Sequence, residues 1–293
     1  MKICRYEDTD TPRLGLVDGD HLTPLDLPLA AGQGVEQLFQ LSTDDRSRVI
    51  AAALQSSDSL SVVDVRLLAP VPRPSKIVAV GLNYADHVAE TGQETPTIPT
   101  IFAKFPNSIT DPGAPVARPT DCTSLDYEGE LAIVIGSPCR RVSAEQAQSV
   151  IGGYTILNDV SIRAWQLATP QWTMGKSFDT HAPIGPWVVL VDSFDPSSAR
   201  ITTRVNDEVR QDSNTKHLIF DCAALVAHIS ERCSLEPGDI ISTGTPGGIG
   251  AALVPPRFLQ TGDVVTISIE GIGELSNVVV DEDDLDPATA VRA

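Results

Sequence analysis

The sequence has no apolar run long enough to cross a bilayer. Its longest, at 131–136 and 187–191, stop after a few residues, against the roughly 20 that a spanning helix needs. Cysteine is sparse: five in 293 residues, far apart and with no Cys-x-x-Cys pair. An odd, scattered set argues against a disulfide framework and for a reducing, cytoplasmic setting. The N-terminus turns polar at once, through Lys2, Arg5, Glu7 and Asp8, without a signal-peptide apolar core. Basic residues are also short, 21 Lys plus Arg against 39 Asp plus Glu, a net charge of −18. That field repels polyanions, so neither nucleic acid nor a membrane is an expected partner. An anionic small substrate would be repelled too, unless a metal or a buried lysine reversed the sign locally. Nor does the chain contain G-x-G-x-x-G, G-x-x-x-x-G-K, G-x-S-x-G or H-E-x-x-H. Nicotinamide, ATP, serine-hydrolase and zinc-protease chemistries therefore do not lead.

What is present reads as two units. Residues 1–70 form a small α+β unit: strands at 13–17 and 21–24 flank Asp18-Gly19, a tight-turn pair, and short helices follow at 35–40 and 44–54. The alternate prolines Pro70, Pro72 and Pro74 favour a stiff extended link and mark the boundary. Residues 71–293 are rich in short branched segments, predicted as strands at 76–80, 130–135, 154–157, 186–190, 201–205, 239–242 and 264–269. Helical stretches are few, at 84–91, 143–150, 162–167 and 220–232. The expected class is α+β, mainly β.

The strongest local signal is Asp126-Tyr127-Glu128-Gly129-Glu130, running directly into an apolar strand. Residues two apart on a strand share a side, so Glu128 and Glu130 project together and need water, a proton or a cation between them. A second strand ends at Asn158-Asp159 and offers a third carboxylate. Three carboxylates suit Mg²⁺ first, with Mn²⁺ or Ca²⁺ as alternatives. A Glu-x-Glu pair by itself more often lines a solvated edge. In the segment 83–92, Asn83 reads as the helix cap, Gly92 as its end, and His87 and Glu90 as sharers of one face. Glu90 could orient a basic imidazole, or the two could be an exposed surface pair. Lys176, between Gly175 and Ser177 with aromatics nearby, could hold a carboxylate or enolate, or simply snorkel to water. Gln166 could bond substrate or satisfy backbone. The glycine-rich turn 242–250 exposes backbone N–H groups able to cradle a carboxylate or oxyanion.

Taken in order, five segments resemble the fumarylacetoacetate hydrolase family. They are Gly81-Leu82-Asn83-Tyr84-Ala85-Asp86-His87, the 126–131 stretch, Leu157-Asn158-Asp159-Val160-Ser161, Gly175-Lys176-Ser177-Phe178-Asp179, and 238–246. The resemblance spans about 76–280. It implies a C-terminal domain with the family's mixed β-roll, in a homodimer. It implies Glu128, Glu130 and Asp159 as metal ligands, His87 as catalytic base with Glu90 as its partner, and 91–96 as a lid. It places Lys176 and Gln166 on substrate or oxyanion contacts and Thr245, beside Gly244, on a carboxylate contact. The resemblance also places Lys104 and Ser108 on substrate contacts, in a stretch similar to the family's Lys-Pro-x-Ser that is interrupted here by Phe105. Ala164 stands where the family commonly has aspartate.

The activity so implied is hydrolytic C–C cleavage of an acylpyruvate or related 2,4-diketo acid. A metal would act as Lewis acid, His87 would deprotonate water, and Lys176 and Gln166 would stabilise the oxyanion. Oxaloacetate decarboxylation and isomerisation of unsaturated oxo-dicarboxylates are alternatives on the same site. A non-catalytic metal- or oxo-acid-binding protein is the alternative of another class, and it would have no need of His87.

Overall fold

The computed structural model describes residues 1–285. Its framework is a 12-stranded open sheet facing a five-stranded one. At the centre of the large sheet, Gly129–Ile135 pairs antiparallel with Ile151–Asn158 on one side and Ile240–Ser242 on the other. Ile240–Ser242 in turn runs parallel to Ile77–Gly81, whose outer neighbour is Thr100–Lys104. The sheet is therefore mixed. All seven residues of Gly129–Ile135 are buried. Leu131, Ile133 and Ile135 pack toward the five-stranded sheet and the helix Cys222–Arg232, while Ala132 and Val134 pack toward Val35, Leu38 and Phe39. A strand covered on both faces reads as a continuous apolar run rather than as an alternation.

The first seventy residues join this framework. The hairpin Thr11–Asp18 and His21–Pro24 forms about Asp18-Gly19, with Gly19 at φ +56°. Helix Thr43–Gln55 starts on Ser42, whose hydroxyl accepts from Asp45 N. Lys2–Asp8 pairs with both Thr11–Asp18 and Ala182–Leu190, so the large sheet runs unbroken from the N-terminal segment into the rest.

The five-stranded sheet has the order Glu208–Asn214, Arg200–Val205, Val264–Ile269, Gly273–Asp281, Val116–Arg118. The turns at Gly238 and Gly262 are each at positive φ ahead of a strand. No helix among the described residues is long and apolar enough to cross a membrane.

Candidate active site

Register in the large sheet assembles the acidic floor. Glu130 lies opposite Leu157, and Gly129 opposite Asn158. The ladder then continues one step, with Asp159 N donating to Glu128 O at 2.9 Å. Glu128, Glu130 and Asp159 thereby bring one oxygen each to within 4.8 Å of one another, and all three are buried. Such crowding needs compensation. Lys176 Nζ bridges Glu128 Oε2 and Asp159 Oδ2, 2.7 Å from each. Arg163 donates to Glu128 Oε1 at 2.5 Å and to Asp126 Oδ2 at 2.8 Å. Lys104 Nζ reaches Asp159 Oδ1 at 2.7 Å. Burial alone would raise the Glu128 carboxyl, but Lys176 and Arg163 outweigh it and hold it down at about 2. Among the described residues Glu130 has no ion-pair partner. Burial, then Asp159 and Glu128, push it well above the usual carboxylate range, although Ser242 Oγ at 2.5 Å and Gly244 N at 2.8 Å donate to its Oε2.

His87 and Glu90 face this floor across a cavity of about 450 Å³, whose lining also includes Glu128, Glu130, Gln166 and Lys176. His87 Nδ1 lies 2.8 Å from Glu90 Oε1, which leaves the other ring nitrogen free for chemistry. Glu90 is fixed in turn, its Oε2 accepting from Gly248 N at 2.8 Å. Gly248 has φ +103°, and a Cβ there would stand 2.0 Å from Arg210 O, so the turn admits only glycine. Opposite the polar floor the wall is apolar, with Leu82, Phe102, Leu167, Trp172 and Ile249. Gly81 permits that wall, because a Cβ would lie 2.4 Å from the Trp172 ring.

The fumarylacetoacetate (FAA) hydrolase C-terminal family matches residues 76–280, where all of these groups lie. The chain belongs to this family. An Rv2993c-like N-terminal family matches residues 1–70. The chain is similar to the mitochondrial oxaloacetate tautomerase of Xenopus laevis, 38% identical over 293 positions that cover 96% of this chain and 90% of the relative. Among solved structures it is similar to the fumarylacetoacetate hydrolase of Exiguobacterium antarcticum, with TM-score 0.84, 37% identity and coverage of 96% and 99%. It is also similar to the maleylpyruvate hydrolase of a Sphingobium species, solved with manganese(II) and pyruvate: TM-score 0.80, 31% identity, coverage 96% and 99%.

Within this family fold the expected residues take different places. His87, Glu90, Glu128, Glu130, Gln166, Lys176 and Thr245 line the cavity, with Asp159 beside them on Lys176. Lys104 is fully buried and braces Asp159, with further contacts to Val160 O and Lys176 O. Ser108 does not reach the cavity; its hydroxyl donates to Phe105 O at 2.6 Å. Gly244 acts through its amide on Glu130. Asn83 is not the helix cap. Its amide ties Phe220 and Thr243 together, and the helix Ala85–Thr91 begins on Tyr84.

Asp126 and Arg163 carry more of the site than their sequence context announces. Asp126 accepts from Gly250 N at 2.8 Å and Ala251 N at 3.0 Å, so one buried ion pair links the glycine-rich turn to Glu128 and to Gln166. Asp126 lay in the acidic motif, but its partner, 37 residues away, leaves no local trace.

The donor set fits a hard divalent cation: oxygen only, three carboxylates, with a Glu130 that lacks a positive partner. Asp126, Glu128, Glu130 and Asp159 set four negative charges against the three positive charges of Lys104, Lys176 and Arg163. A dication held there would turn this deficit into a local excess of one, against the chain's net charge of −18.

His181, nearby in sequence, is of another kind. It is fully buried, donates from Nε2 to Ala117 O at 2.8 Å, and has an Nδ1 without a partner among the described residues. Burial lowers its pKa from 6.5 to about 3. The unfolded chain thus binds the proton first, and stability falls as pH drops from about 6.5 toward 3, by at most about 1.4 kcal/mol per pH unit. Urea unfolding of wild type and His181→Gln at pH 7, 6 and 5 should show the steeper acid loss in wild type; parallel profiles would refute the assignment.

Proposed function

We propose that this chain moves a proton between the keto and enol forms of a small 2-oxo acid, oxaloacetate first. The observation that carries the reading is the His87–Glu90 pair, anchored on Gly248 and facing a carboxylate floor that suits a metal. Glu128, Glu130 and Asp159 would hold the ion, which supplies Lewis acidity toward the acid's 2-oxo and carboxylate oxygens. His87 takes a proton from C3 through its free ring nitrogen, and the electron pair becomes the C2–C3 double bond. Glu90 stabilises the imidazolium, and the proton returns to the enol oxygen, so no atom is gained or lost. Gln166, held by Arg163, is placed to bond the acid and fix its orientation. The name of the Xenopus relative supports oxaloacetate.

A second reading, C–C hydrolysis of an acylpyruvate or other 2,4-diketo acid, draws support from the cavity. About 450 Å³ leaves room beyond a four-carbon acid, and the Leu82, Phe102 and Trp172 wall suits an acyl tail. His87 would then deprotonate water for attack at C4. The C3–C4 bond would break with its electron pair on C3, the imidazolium would return its proton to C3, and pyruvate and a carboxylic acid would result. The maleylpyruvate hydrolase structure supports this reading.

One panel separates them: enol-band decay for oxaloacetate, and pyruvate release from acylpyruvates, each with Mg²⁺, Mn²⁺ or EDTA. Metal-dependent enol decay without pyruvate release supports the tautomerase. Stoichiometric pyruvate and carboxylic acid from diketo acids supports the hydrolase. Silence on both would defeat these two readings and leave isomerisation of an unsaturated oxo-dicarboxylate or a binder. We also propose a cytoplasmic homodimer; five unpaired cysteines and the exposed Trp165, Leu167 and Met174 support it.

A further inference from the structure

The strand Glu208–Asn214 is the outer strand of the five-stranded sheet, and it turns Gln211 and Ser213 to one side. Both are buried; Gln211 bonds to the acidic strand and the glycine-rich turn, Ser213 to the helix that carries His87. Gln211 accepts from Gly129 N at 3.0 Å and donates to Thr245 Oγ1 and Pro246 O, each at 2.8 Å. Ser213 Oγ donates to Asp86 Oδ2 at 2.5 Å. Asp86 Oδ1 accepts from His87 N at 2.8 Å and from Gly247 N at 3.3 Å. With the Ser213 hydrogen committed to Asp86, His217 Nδ1, at 3.1 Å, is left to donate to the Ser213 oxygen.

We propose that Ser213, acting through Asp86, is a positioning residue for the His87 base; the inference rests on the reading of His87 given above. The helix Ala85–Thr91 has seven residues, too few to hold its own direction. Two side chains one turn apart tether it to neighbouring amides of a single turn, Asp86 to Gly247 and Glu90 to Gly248. Ser213 is the side chain that holds Asp86 from a different sheet. Without it, Asp86 keeps backbone contacts alone, and the imidazole loses its fixed approach to the floor. A misplacement of about 1 Å at a reacting group costs on the order of 100-fold in rate.

The test compares Ser213→Ala with Ser213→Thr, which restores the hydroxyl. Readouts are kcat and KM on whichever oxo acid the panel identifies, and hydrogen exchange of the 87–92 amides. Ser213→Ala should lower kcat by roughly 10- to 100-fold with KM within about twofold, and speed exchange at 87–92 at least about tenfold. Ser213→Thr should return both to within about threefold of wild type. Wild-type kcat and exchange in the alanine variant would overturn the inference, as would losses that threonine fails to restore. Exchange is read without substrate. If wild type turns over no oxo acid yet exchange responds as stated, the functional reading fails and the tether stands.

Discussion

Replacing His87 with alanine is expected to lower kcat/KM for tautomerisation or hydrolysis by about 10²–10⁴-fold, the usual contribution of a positioned general base. Mn²⁺ affinity should change little, because the ring bonds to Glu90 and to none of the three carboxylates of the floor. The comparison is informative because one substrate offers a control. Decarboxylation of oxaloacetate breaks a C–C bond without proton abstraction or an attacking water, so any such side activity should survive in His87→Ala. Steady-state kinetics on both reactions, with calorimetric Mn²⁺ titration, check this. Equal loss of decarboxylation and of proton transfer would remove His87 from the role of base; lost metal affinity would make it part of the metal site.

Lys176→Met should cost about 3–5 kcal/mol in EDTA, because it leaves Glu128 and Asp159 buried with fewer positive partners. The packing loss is small, as methionine fills a similar volume. A divalent cation can take over part of that compensation. Saturating Mn²⁺ should therefore recover more stability in the variant than in wild type, and the variant should bind Mn²⁺ more tightly. Guanidinium unfolding with EDTA and with Mn²⁺ gives both numbers. An identical cost in the two conditions would mean that metal and lysine do not share these carboxylates. Activity should fall regardless, since the ammonium lines the cavity.

The central strands were legible at 130–135 and, in part, at 154–157, because burial on both faces leaves apolar residues in succession. The carboxylate floor was legible for a related reason: acids beside such runs conflict with local burial. Glu208–Asn214 was not legible, because its inner face carries Gln211 and Ser213, whose burial is balanced by hydrogen bonds that no periodicity records. Lys2–Asp8 was hidden by its charged ends, although its middle is buried. Long-range partners explain the remaining misreadings. Lys104 was expected at the substrate and instead braces Asp159, and Asn83 was expected as a cap and instead ties segments 137 and 160 residues away.

The cavity's two sides differ in how freely they can vary. The floor is pinned by sheet register and by buried ion pairs, so a change at Glu128 or Asp159 strains the whole framework. Much of the wall comes from connecting segments, including Leu82, Leu167, Trp172 and Ile249, which contribute no rung to either sheet. Substitutions there reshape the cavity at little cost to folding. Such a division lets a lineage exchange substrates while inheriting its reactive centre, which fits a chain similar both to an oxaloacetate tautomerase and to a maleylpyruvate hydrolase.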